Sequence, residues 1–125
     1  MRKLLTTLAL AGAVVLTAPM PLAAHHGAAT FDTVGEITLK GTVSEWLWAN
    51  PHCILKLDVK GADGTVTQWN VATSNVADSS KRGWTRRTFK AGDPVTVTIQ
   101  PARSGAPVGM IRLAVLADGK ELKYG

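Results

Sequence analysis

Residues 37–48, Ile37-Thr38-Leu39-Lys40-Gly41-Thr42-Val43-Ser44-Glu45-Trp46-Leu47-Trp48, decide the fold. The stretch is rich in β-branched and aromatic residues, which fit a pleated, half-buried surface. Its apolar positions nevertheless change parity: Ile37, Leu39 and Val43 fall on one face, Trp46 and Trp48 on the other. Strand side chains alternate with a period of two, so a bend or bulge near Gly41 or between Val43 and Trp46 is needed to bring both sets to one side. A long strand with a glycine near its middle suits the first strand of a small barrel, which must curl to pair on both edges.

Outward from this strand the signals are short and mostly extended. Asn50-Pro51 breaks it. Cys53, Leu55, Leu57 and Val59 then alternate with Ile54, Lys56, Asp58 and Lys60, a second, half-buried strand. Gly61-Ala62-Asp63-Gly64 reads as a hairpin turn into a third strand over 65–71. Ser74 is the expected N-cap of a short helix over 75–82, with Lys81 and Arg82 at its negative end and Gly83 as its stop. Thr85 is expected to cap a further turn through Phe89. A fourth strand follows Gly92-Asp93 over 94–100 and a fifth covers 108–116, leaving an Asp118-Gly119 turn and a tail with Leu122 and Tyr124. Three strands, a helix and two strands is the order of the five-stranded Greek-key barrel called the OB-fold, whose helix lies between strands three and four and plugs one end. The expected class is therefore mainly β and OB-fold-like, with a small open β-sandwich as the alternative.

The N-terminus reads as a cleavable signal peptide. Arg2 and Lys3 precede an apolar run, and Pro19 to Ala24 ends in small residues. The run, from Leu4 to Ala18, is about 15 residues, short of the roughly 20 that span a bilayer, and no basic stop-transfer cluster follows. The expected division is a leader over 1–24 and a single domain over 25–125, periplasmic or secreted, with no membrane span after processing. Cleavage after Ala24 puts Leu22 and Ala24 at the positions the peptidase reads and makes His25 the new N-terminus; cleavage after Ala23 would put Pro21 there.

Of the 14 Lys and Arg residues, Arg2 and Lys3 leave with the leader, so 12 basic residues face 9 acidic ones and the net charge falls from +5 to +3. Five of those twelve, Lys81, Arg82, Arg86, Arg87 and Lys90, lie in one ten-residue segment, fit for an anionic partner or for a solvated helix end. Such confinement to one segment, together with export, argues against nucleic acid as a ligand. The single Cys53 excludes an internal disulfide framework.

The stretches Phe31-Asp32, Thr38-Leu39-Lys40-Gly41-Thr42-Val43, Trp48-Ala49-Asn50-Pro51-His52, Arg82-Gly83-Trp84-Thr85-Arg86 and Gly92-Asp93-Pro94-Val95-Thr96-Val97 together resemble an uncharacterised family of small exported bacterial proteins, a domain of unknown function. The resemblance implies a periplasmic OB-like barrel and no established activity. It also implies that Cys53 stands where relatives carry an apolar residue, so the thiol is a local substitution.

Chemistry has to come from polar residues a barrel does not need. His25, His26 and His52 are all the histidines, and a terminal His with a free amine is a strong chelate for copper. With His25 at the terminus, its amine and ring, joined by His52, would resemble the histidine brace of exported copper proteins; an Ala24-His25-His26 terminus would bind copper or nickel without His52. Trp46 and Trp48, on one face of strand one, form a candidate stacking platform. Arg82, Arg86 and Arg87, around a Trp84 expected to pack on the barrel, form a candidate cationic patch. No nucleophile elbow, phosphate loop or HExxH-type pair is present. Two readings follow: a non-catalytic periplasmic module that binds a protein or small ligand, and a small copper-binding protein.

Overall fold

The computed structural model describes Phe31 and residues 35–125. The expected leader and cleavage site, with His25, His26 and Asp32, lie outside the described residues. The elements are β1 (Ile37–Leu47), β2 (Ile54–Lys60), β3 (Val66–Ala72), α1 (Val76–Lys81), β4 (Pro94–Pro101), β5 (Val108–Val115) and β6 (Glu121–Lys123). The sheet runs β3-β2-β1-β4-β5-β6, and a parallel pairing of β3 with β5 closes the first five strands into an OB-like barrel. None of the described helices is long and apolar enough to cross a membrane.

β1 does what its sequence requires. Its first half, Ile37 to Thr42, pairs with β4, and its second, Thr42 to Leu47, pairs with β2, so the strand changes partner at its middle. Gly41 sits at that curl, where a Cβ would fall against the backbone carbonyl of Asp58, so no larger residue fits without moving the neighbouring strand. The register slips between Val43 and Glu45, the bulge that the parity change demanded. Leu39 and Val43 therefore point into the core while Trp46 and Trp48 pack against it.

The alternation of β2 holds at Cys53, Leu55 and Leu57, all fully buried. It relaxes at Val59, because the β2–β3 hairpin runs past the barrel and residues 61–68 are all exposed. Val95, Val97 and Ile99 of β4 and Ile111 and Ala114 of β5 complete the wall. β5 divides its free edge: Val108 to Met110 pair with β3, and Leu113 to Val115 pair with β6. The tail after Asp118-Gly119 is thus a sixth strand, a difference from the expectation. Its burial pattern is Leu122 in, Glu121 and Lys123 out, and three residues are too few to announce a period.

α1 starts one residue later than expected. Ser74 is not the cap, because its carbonyl still accepts Cys53 N–H at 2.9 Å and so continues the β2–β3 pairing. Asn75 caps instead, its side chain accepting Asp78 N–H at 2.8 Å. Arg82 is the C-cap, and Gly83 follows at φ 88°, the left-handed conformation that glycine adopts without a Cβ penalty.

Candidate functional site

α1, the turn after it and the chain around β6 come together at Trp84, Leu122 and Tyr124, and most of the singled-out residues gather there. Trp84, just past the helix stop, is fully buried. Its ring lies 6.2 Å from Trp46, 5.8 Å from Phe89 and 5.9 Å from Tyr124. Trp46 meets Phe89 edge-on at 5.1 Å and Trp48 at 5.7 Å. The indole Nε1–H of Trp84 has no hydrogen-bond partner, which costs about 1–3 kcal/mol. Burying the ring returns roughly 2–3 kcal/mol, and each aromatic pair adds about 0.5–1.5 kcal/mol, so packing wins and the ring stays inside.

Trp46 is half-buried and makes the junction that defines the site. Its Nε1–H donates to the backbone carbonyl of Thr85 at 2.9 Å. Thr85 opens the turn that carries Arg86 and Arg87. Thr85 N–H donates to Thr88 Oγ1 at 2.7 Å, and Thr85 Oγ1 accepts Arg87 N–H at 3.1 Å, which is the capped turn expected there. Arg86 and Arg87 are exposed, and no ion pair holds either among the described residues. Arg82 is engaged differently: its Nε lies 3.5 Å from Asp78 Oδ2 and its guanidinium stacks 4.7 Å over the Tyr124 ring. The cationic segment thus divides into one arginine tied to the helix and two on the turn beside Trp46.

A polar seam runs under α1. Tyr124 O–H donates to Asp78 Oδ2 at 2.8 Å, while its oxygen accepts Ser74 N–H at 2.9 Å. That donated bond, assisted by Arg82, holds the Asp78 carboxyl below its ordinary 3.8. Buried Thr73 and Ser79 share a hydroxyl contact at 3.1 Å, and Asn50 Oδ1 accepts Val76 N–H at 2.9 Å, tying the loop after β1 to the helix start.

His52 lies on that loop with its ring exposed. Its Nδ1 is 3.2 Å from the Thr73 carbonyl, and because a carbonyl only accepts, the bond requires a proton on Nδ1 and leaves Nε2 out of it. Among the described residues no three His, Cys, Asp or Glu side chains converge as a metal site, and His25 and His26 lie outside those residues. Cys53 is fully buried with Sγ 3.7 Å from the Ala49 carbonyl, the environment of a packed apolar side chain rather than an accessible nucleophile.

The model of a family of unknown function, DUF6152, matches residues 13–112. The chain belongs to this family. The match takes in β1 to β4, α1 and the first five residues of β5, Val108 to Arg112, and ends before β6 and Tyr124. No curated protein and no solved structure matches the chain.

Sequence reasoning singled out Trp46, Trp48, Trp84 and the arginines but gave Asp78, Asn50 and Tyr124 no part in the site. Only Tyr124 had a readable signal, its two-residue spacing from Leu122 after a turn. Asp78 and Asn50 act through contacts 46 and 26 residues away in sequence, which no local pattern encodes.

Proposed function

We propose that this member of the DUF6152 family is an exported, non-catalytic binding module whose ligand carries a planar apolar group beside an anionic one. The carrying observation is the hydrogen bond from Trp46 Nε1 to the Thr85 carbonyl. It supports this reading by linking the strand that carries Trp46 to the turn that carries Arg86 and Arg87. The tryptophan rings, 5.7 Å apart and half-exposed, offer stacking surface, and two exposed arginines on the turn that follows Thr85 offer charge and bidentate donors. The test is an NMR titration of the protein over residues 25–125 with 2-naphthoate, following indole N–H signals. Shifts should concentrate at Trp46, Trp48 and the Arg86 and Arg87 amides, and Trp46→Ala should weaken binding roughly 3- to 10-fold. Absence of shifts at those indoles would reject the reading.

A second reading is copper binding, favoured by the hydrogen bond of His52. Metal-bound histidines commonly donate their second ring N–H to a carbonyl, which fixes tautomer and orientation, and His52 makes that bond through Nδ1. In this reading Nε2 of His52 joins the amine and ring of a processed His25 terminus around copper, and an Ala24-His25-His26 terminus binds by itself. Calorimetric titration of copper into correctly processed protein and its His52→Ala variant distinguishes them. Tight binding lost in the variant supports the brace, retained binding supports the terminal chelate, and no binding tighter than micromolar in either rejects copper. Affinity should fall on acidification, because the amine and ring nitrogens must be unprotonated to coordinate.

A further inference from the structure

α1 has six residues, whereas isolated helices shorter than about 12–15 are marginal in water, so something outside it must hold it. Only Ser79 of the helix is buried. Besides the Asn75 cap, the Asn50 bond to Val76 N–H and the Thr73–Ser79 hydroxyl contact, Tyr124 reaches the helix at both ends. The hydroxyl bonds Ser74 N–H and Asp78 at the helix start, and the ring carries the Arg82 guanidinium at the helix end. The same ring packs edge-on against Trp84, which in turn touches Trp46. Tyr124 is itself anchored to the wall, since its N–H donates to the Arg112 carbonyl at 2.6 Å and the preceding β6 pairs with β5 and buries Leu122.

We propose that β6 and Tyr124 form a strap that ties α1 and the following turn to β5 and so positions the Trp46–Thr85 junction. The part that concerns ligand rests on the binding reading above; the part that concerns α1 does not. Tyr124 is a positioning residue, acting on Trp46 through Trp84. A generic core residue, by contrast, would stabilise every strand alike.

The experiment is amide hydrogen exchange on the protein without ligand, comparing wild type with Tyr124→Phe, which keeps the ring and removes both hydroxyl bonds. Exchange should accelerate about tenfold at Ser79, Arg82, Gly83 and Trp84, whose N–H groups close the helix and its stop. Amides of β1, β2 and β4 should stay within about twofold. Asp78→Asn, which weakens the same bond from the other side, should loosen the same four amides and serves if Tyr124→Phe folds poorly. Uniform acceleration over the barrel, or none at these amides, would overturn the strap. Naphthoate affinity of Tyr124→Phe should fall about threefold. Unchanged affinity with a loosened α1 would overturn the positioning role, whereas a wild type that does not bind naphthoate would sink the binding reading and leave the exchange result to judge the strap.

Discussion

The barrel wall and the cap formed by α1 and its following turn are held by different physics. In the wall, Leu55, Leu57, Val71, Val97 and Ile99 are all fully buried on alternating strand positions, and their contribution scales with apolar area removed from water. In the cap, a six-residue helix with one buried serine depends on single hydrogen bonds from Asn75, Asn50 and Tyr124 and on one plug, Trp84. The wall should therefore respond to volume and the cap to specific atoms.

Trp84 belongs to both regions and should give the largest effect. Trp84→Ala is expected to cost about 3–5 kcal/mol in chemical denaturation, somewhat offset because the unpartnered indole N–H leaves with the ring. A cost under about 1 kcal/mol would mean the cap closes without its plug. Leu57→Ala, in the wall alone, should cost about 2–5 kcal/mol and lower the protection of all barrel strands together.

The same division explains what the sequence revealed. Alternation in Cys53 to Val59 and the parity change between Val43 and Trp46 are local consequences of burial, so strand positions, the bulge and the OB-like order were legible. The N-cap of α1 was displaced from Ser74 to Asn75 by a backbone bond to Cys53, and β6 was missed, because both depend on partners distant in the chain. The site was half legible. Residue type marked Trp46, Trp48, Arg86 and Arg87, but the Thr85 carbonyl that joins them is a backbone atom with no signature in sequence.

Smaller substitutions sharpen the contrast. Asn75→Ala removes the helix cap and should cost about 1 kcal/mol, with faster exchange confined to α1. For Asp78 the folded carboxyl titrates below its ordinary value, so its contribution is complete above that value and disappears as pH falls through the folded one. Asp78→Asn should accordingly flatten the loss of stability on acidification below about pH 4 while leaving the profile near neutrality parallel to wild type. An unchanged acid limb would place the sensitivity elsewhere, with Asp63, similarly lowered by its bonds to Thr65, the next group to replace. Arg86→Ala and Arg87→Ala, exposed on the turn, should change stability by less than about 0.5 kcal/mol, which separates a ligand role from a structural one.

The most direct test of the joined aromatic and cationic site compares two ligands with the same rings, 2-naphthoate and the neutral 2-naphthalenemethanol, on wild type and on the double variant Arg86→Ala/Arg87→Ala. Wild type should bind the carboxylate about tenfold more tightly than the alcohol, since a charge-assisted hydrogen bond is worth about 1.5–3 kcal/mol before solvent screening. The double variant should bind both alike, at the affinity of the alcohol. Equal affinities for the two ligands in wild type, or a preference that survives in the double variant, would contradict the account.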